Sequence, residues 1–91
     1  MKIRDRILEV IEKSNKSKEE IEEITGINKH TWGNLKAGRQ RANEEHIEAM
    51  ISIWPEYAYW LTTGKTMPEC GQISPELEEI REKQNLKTGT E

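Results

Sequence analysis

The chain has 91 residues, 33% of them apolar and 34% charged, with one cysteine and a net charge of −3. So short and polar a chain makes one domain around a small core, in the size range that buries only about 60% of its unfolded surface. No apolar run is long enough to span a bilayer and no signal-peptide pattern opens the sequence, while one cysteine makes no internal disulfide; the expected setting is cytoplasmic, with no membrane partner.

Ile3, Ile7, Val10 and Ile11 fall at i, i+4, i+7 and i+8, one face of a helix over about 3–13, with Leu8 to the side of the stripe. Ser14, Asn15 and Lys16 make a polar turn. Ser17 and Glu20 then form a capping box for a second helix, with Ile21 and Ile24 on its inner face and Gly26 at its end. Ile27 plugs the turn, and Asn28 caps a third helix in which Trp32 and Leu35 are three apart and face inward. Trp32 invites stacking on bases, but its spacing from Leu35 favours the core. Gly38 ends this helix, and Arg39 and Arg41 follow it. Two short helices joined by a tight glycine turn, over about 17–38, are the helix-turn-helix arrangement, whose second helix enters the DNA major groove.

Asn43 caps a fourth helix, with Glu44 and Glu45 in its first turn, where acids suit the dipole. Ile47, Met50, Ile51 and Trp54 repeat the inward pattern. Pro55 stops that helix and opens a fifth over about 55–62, with Gly64 past its end. Residues 65–73 show no period and read as a loop or extended arm. Ser74-Pro75-Glu76 starts a short, highly charged helix over about 75–84, with Leu77 and Ile80 its only apolar pair. A disordered tail over about 86–91 is expected. The fold class is therefore all-α: a compact five-helix domain over 1–64, then a C-terminal arm over 65–91 carrying one short extra helix.

The charge is unevenly spread. Residues 1–43 carry ten basic and seven acidic side chains, a net of +3; residues 44–91 carry four and ten, a net of −6. Between Ile24 and Asn43 stand Lys29, Lys36, Arg39 and Arg41 with no acid among them. This is a local positive footprint on an acidic chain.

The run SKEEIEEITGINKHTWGNLKAGRQR, Ser17 to Arg41, resembles the lambda-repressor-like, Cro-type helix-turn-helix family of phage and bacterial regulators. Ser17, Glu19, Glu20, Ile21, Thr25, Gly26, Ile27, Thr31, Trp32, Leu35, Gly38 and Arg39 carry the likeness, which extends over about residues 3–53 and more weakly to Gly64. One departure stands out. The family usually has alanine where this chain has Glu22, because the two helices approach closely there; a glutamate must snorkel out or widen the crossing.

The resemblance implies that Lys29, His30 and Asn34 point at base edges of double-stranded DNA. The chemistry suits them: Lys and His donate to guanine acceptors, and Asn pairs with adenine. It implies backbone contacts from Lys18, Arg39 and Arg41, with Thr31 and Lys36 as weaker candidates; such contacts position a protein without choosing sequence. For Gly33 two readings stand: it clears a side chain where the helix meets DNA, or it packs tightly against the second helix.

Four of the five aromatic residues, Trp54, Tyr57, Tyr59 and Trp60, lie within seven positions. Tyr59 and Trp60 exceed what one helix face accommodates, so they are read with Leu61, Leu77 and Ile80 as a homodimer interface. The alternative is that they cover the bottom of the core with the C-terminal arm folded over them. His30, His46 and Cys70 lack zinc-ligand spacing, so no metal and no cofactor is expected. No nucleophile pair, phosphate-cradling glycine loop or paired carboxylates appear, so no catalytic residue is assigned and no enzyme is expected. The resulting expectation is a sequence-specific transcriptional regulator, a repressor binding a palindromic operator as a homodimer. The alternative is an antitoxin-like or other protein-interaction module that engages a protein partner through the acidic C-terminal half.

Overall fold

A computed structural model describes the backbone of residues 1–89 and the side chains through Gln84. Its regular elements are helices: α1 (Ile3–Ser14), α2 (Lys18–Thr25), α3 (Lys29–Ala37), α4 (Glu44–Ile53), a 3-10 turn (Pro55–Tyr57), α5 (Ala58–Thr63), a second 3-10 turn (Pro68–Cys70) and α6 (Pro75–Gly89). Helices α1 to α5 lie within residues 1–64, and α6 is a sixth beyond them. The fifth predicted helix is split. Pro55 opens a 3-10 turn, and the α-helix proper starts only at Ala58. No helix among the described residues is long and apolar enough to cross a membrane.

Local signals set most helix ends. Ser17 Oγ accepts from the Glu20 amide while Glu20 Oε1 accepts from the Ser17 amide, closing the capping box of α2. Asn43 Oδ1 accepts from the His46 amide at the start of α4, and Ser74 Oγ accepts from the Leu77 amide at the start of α6. Gly26 and Gly38 end α2 and α3 with φ of 74° and 78°, a left-handed conformation that costs glycine no Cβ clash.

The core gathers one or two side chains from each element: Ile7 and Val10 of α1, Ile21 of α2, Ile27 of the turn, Trp32 and Leu35 of α3, Met50 of α4, then Tyr57, Trp60, Leu61 and Ile73. Each large apolar side chain buried this way contributes about 1.5–3 kcal/mol. Helix α1 packs on α5, α2 on α3 and α4, and α6 on α1. Lys13 of α1 and Glu79 of α6 pair at 3.2 Å.

The structure departs from the sequence expectation at several positions. Ile24 does not face inward: it is 47% exposed, because Ile21 and Ile27 already fill the core side of this eight-residue helix. Trp60 and Leu61 are only 8% and 0% exposed, so they belong to the monomer's own core and cannot form a partner surface. Tyr59 is half-buried, and Leu77 packs against the core. Of the five residues assigned to a dimer contact, Ile80 alone stands in the open, at 44% exposure.

The stretch after Gly64, read as a loop or extended arm, folds back over the bottom of the core. Met67 and Gln72 form an isolated antiparallel bridge. The Ile73 amide donates to the Glu56 carbonyl at 2.9 Å, Gln72 Oε1 accepts from the Tyr59 amide at 2.9 Å, and Gln72 Nε2 donates to the Pro55 carbonyl at 3.1 Å. With Ile73 buried beneath it, this strap closes the bottom of the core. The domain therefore runs past residue 64, and α6 continues beyond residue 84 to Gly89, over part of the stretch read as a disordered tail. Thr90 and Glu91, the remainder of that expected tail, lie outside the described residues.

Candidate nucleic-acid interface

The α2–turn–α3 unit is tied together by side chains that leave little freedom in its angle. Thr25 Oγ1 donates to the Ile21 carbonyl at 2.7 Å and accepts from the Ile27 amide at 3.1 Å, locking the end of α2 to the turn. Asn28 Oδ1 accepts from the His30 amide at 2.7 Å. Glu22 Oε2 accepts from the Lys29 amide at 2.8 Å. Glu22 thus does not snorkel away from α3. Its carboxylate reaches across from α2 to the N-terminus of α3, where unpaired amides and the helix dipole both favour an anion. At the N-cap of α2, the hydrogen bonds from the Ser17 amide and hydroxyl hold the Glu20 carboxyl below the usual carboxylate value.

Five of the eight residues assigned to DNA contact come together. Lys18, Lys29, His30, Asn34 and Arg39 line one shallow depression between the start of α2 and the outer face of α3, with Glu19 beside them and Gly33 as its floor. The Asn34 carboxamide and the His30 imidazole make no hydrogen bond to any described residue, so their donors and acceptors face outward unspent. Lys29 pairs with Glu19 at 3.8 Å; both side chains are substantially exposed, and such a pair is worth little and is easily exchanged.

Gly33 separates the two readings given for it. A Cβ built there would meet only Lys18 Nζ, at 3.8 Å, which is ordinary contact with the flexible end of a side chain. Its φ is not in the left-handed region. Neither the packing of α2 on α3 nor the backbone requires glycine at this position.

The other three assigned residues lie elsewhere. Thr31 is half-buried and outside the depression. Lys36 borders a separate hollow with Leu8, Ile11, Lys16 and Trp32. Arg41 lines a third hollow, with Lys2 just before the first helix and Arg4 and Arg6 in its first turn. Those three cations were missed in the sequence. One signal was available: cations in and before the first turn of a helix oppose its dipole, so a role beyond helix stability was worth seeking there.

Behind α3, Trp32 packs edge-on against His46, with ring centroids 5.0 Å apart and planes at 65°. His46 is buried, and its Nδ1 accepts from the Asn43 amide at 3.1 Å, completing a reciprocal cap at the start of α4. Burial pushes the His46 imidazolium to titrate below its ordinary value, against a smaller opposing pull from Glu45.

The chain matches no family model. No curated protein matches it either. Among solved structures, it is similar to Pf6r from the filamentous phage Pf6 of Pseudomonas aeruginosa PA01, with a TM-score of 0.74 and 29% sequence identity over 84% of this chain and 97% of that one.

Proposed function

We propose that this protein is a sequence-specific, double-stranded-DNA-binding regulator of the Cro type, acting as a repressor by occupying a palindromic operator as a homodimer. The observation that carries the reading is the outer face of α3. His30 and Asn34 present unspent polar groups on either side of a glycine that the fold itself does not need, Lys29 beside them is held only by an exposed pair with Glu19, and Lys18 and Arg39 flank them. Side chains of these types suit base edges, and the flanking cations suit the adjoining phosphates, which supports the reading. A phage protein of similar structure supports a regulator of phage type. The proposed activity is binding, not catalysis.

One such unit reads too few base pairs to find a single genomic site, because non-specific sites compete in excess. Two copies about a two-fold axis would read half-sites about one helical turn apart. Selection from random duplex DNA tests the whole reading. A palindromic consensus is the expected result, and a pool without enrichment rejects it.

A second reading, a module that engages a protein partner, rests on α6. Glu76, Glu78, Glu79 and Glu82 crowd its first turns, and Ile80 is exposed among them. A stable complex that needs α6 and survives nuclease treatment would favour it.

A further inference from the structure

We propose that the cleft between the start of α1, the α3–α4 connection and the end of α5 binds a phosphate group. Lys2, Arg4, Arg6 and Arg41 line it, and no carboxylate of the described residues stands among its lining. Arg6 is 7% exposed. Its Nε donates to the Leu61 carbonyl at 2.9 Å and its Nη1 to the Met1 carbonyl at 2.6 Å. Carbonyls satisfy these donors but supply no counter-charge. No carboxylate of the described residues comes within ion-pair distance of Arg6. A buried cation without an anion is costly.

Arg4 is held in the same manner. Its Nε donates to the Leu35 carbonyl at 2.7 Å and its Nη2 to the Lys36 carbonyl at 2.9 Å, which caps the C-terminal end of α3. Asp5 takes its Nη1 at 3.1 Å from outside the cleft and, among the described residues, is the one acid that pairs with a lining cation there. Lys2 and the two arginines also crowd the N-terminal end of α1, where the helix dipole is positive and repels them. Four cations held together against these costs form an anion site. Guanidinium forks match the paired oxygens of a phosphate, and Gln40, also on the rim, adds an amide donor.

The phosphate has two sources. It belongs to a DNA backbone, in which case the inference rests on the DNA-binding reading above, or to a free phosphorylated small molecule. Arg41 follows Arg39 by two positions, so the cleft adjoins the C-terminal end of the α3 face and suits either source.

The test has two arms on the full chain. In the first, sodium pyrophosphate is titrated calorimetrically against sodium chloride at matched ionic strength, with amide shifts mapped by NMR. Saturable binding is expected, with shifts at Gly38, Gln40 and Arg41, weakened severalfold by Lys2→Ala. In the second, the salt dependence of duplex binding is compared between parent and Lys2→Ala, and a slope lower by about one unit marks a lost phosphate contact. Cleft-centred pyrophosphate binding with an unchanged DNA slope assigns a free phosphorylated ligand, and a lowered slope assigns the DNA backbone. No effect of Lys2→Ala in either arm, or shifts confined to Lys29–Asn34, overturns the site. A chain that binds no duplex at all defeats the DNA reading and leaves the pyrophosphate arm to decide.

Discussion

The carboxylate of Glu22 accepts a hydrogen bond from the backbone amide of Lys29, so one helix caps the next across the turn. This ties the angle of α3 to the body of the domain through a side chain of α2. Loss of a cap costs about 0.5–2 kcal/mol. Glu22→Ala is expected to lower the thermal midpoint accordingly, and Glu22→Gln, which keeps an acceptor but not the charge, to fall between. Thermal unfolding by circular dichroism distinguishes the three proteins, and equal midpoints would remove the cap from the account.

Gly33→Ala is expected to separate stability from function. Alanine is the better helix former by about 0.5–1 kcal/mol, and the added methyl meets no backbone or buried atom. The variant should therefore melt higher while binding its operator less well, because the methyl occupies the surface offered to bases. A variant that is both more stable and fully active would show that nothing approaches this position closely.

Base readers and backbone contacts should respond differently. Lys29→Ala and Asn34→Ala are each expected to relax preference at particular base pairs, at about 1–3 kcal/mol for a bidentate contact. Arg41→Ala should weaken all sequences alike and lower the salt slope by about one unit. Competition against single-base operator variants checks both, and a changed base preference in Arg41→Ala alone would reverse the assignment.

His46 makes stability depend on pH in a calculable direction. Its folded-state value is lowered by burial, so the folded state prefers the neutral ring. The stabilisation is fully present above the unfolded value of about 6.5 and is lost as pH falls toward the folded value. The loss is at most about 1.4 kcal/mol per pH unit for one proton. Protonation would also turn Nδ1 from acceptor to donor and break its bond from the Asn43 amide. His46→Gln keeps a capping acceptor without a titrating group. Melting between pH 7.5 and 5.5 is expected to fall for the parent and to flatten for the variant.

The dimer contact is tested at the exposed position. Trp60→Glu would place a charge in the monomer's own core, and a large loss of stability is expected from it. Ile80→Glu alters an open position of α6 and should leave the melt unchanged while shifting sedimentation equilibrium toward monomer. A dimer mass unaffected by Ile80→Glu would exclude this part of α6 from the interface.

What the sequence disclosed was what depends on neighbours. The caps at Ser17, Asn28, Asn43 and Ser74 are bonds to amides two or three positions on, and Trp32 and Leu35 announced the core face of α3 by spacing alone. The five residues gathered over Gly33 were legible for the same reason, since most share one short helix. What stayed hidden depends on distant partners. Arg4 and Arg6 meet carbonyls 31 and 55 positions away, and no local pattern announces them. Glu22 looked like a misfit because its partner lies across the turn, on the next helix. The aromatic surplus was misread as a partner surface because the strap that covers it, Gln72 and Ile73, carries no periodic signal.

That strap has a consequence for how the chain comes off the ribosome. The Tyr59 amide waits for a side chain thirteen positions later, and the base of the core waits for Ile73. Helices α1 to α5 can be fully synthesised and still have an open floor, with Trp60 and Leu61 lacking their last cover. Completion of the fold is thus timed to the emergence of residues near 73 from the exit tunnel, well after the α3 face has been made.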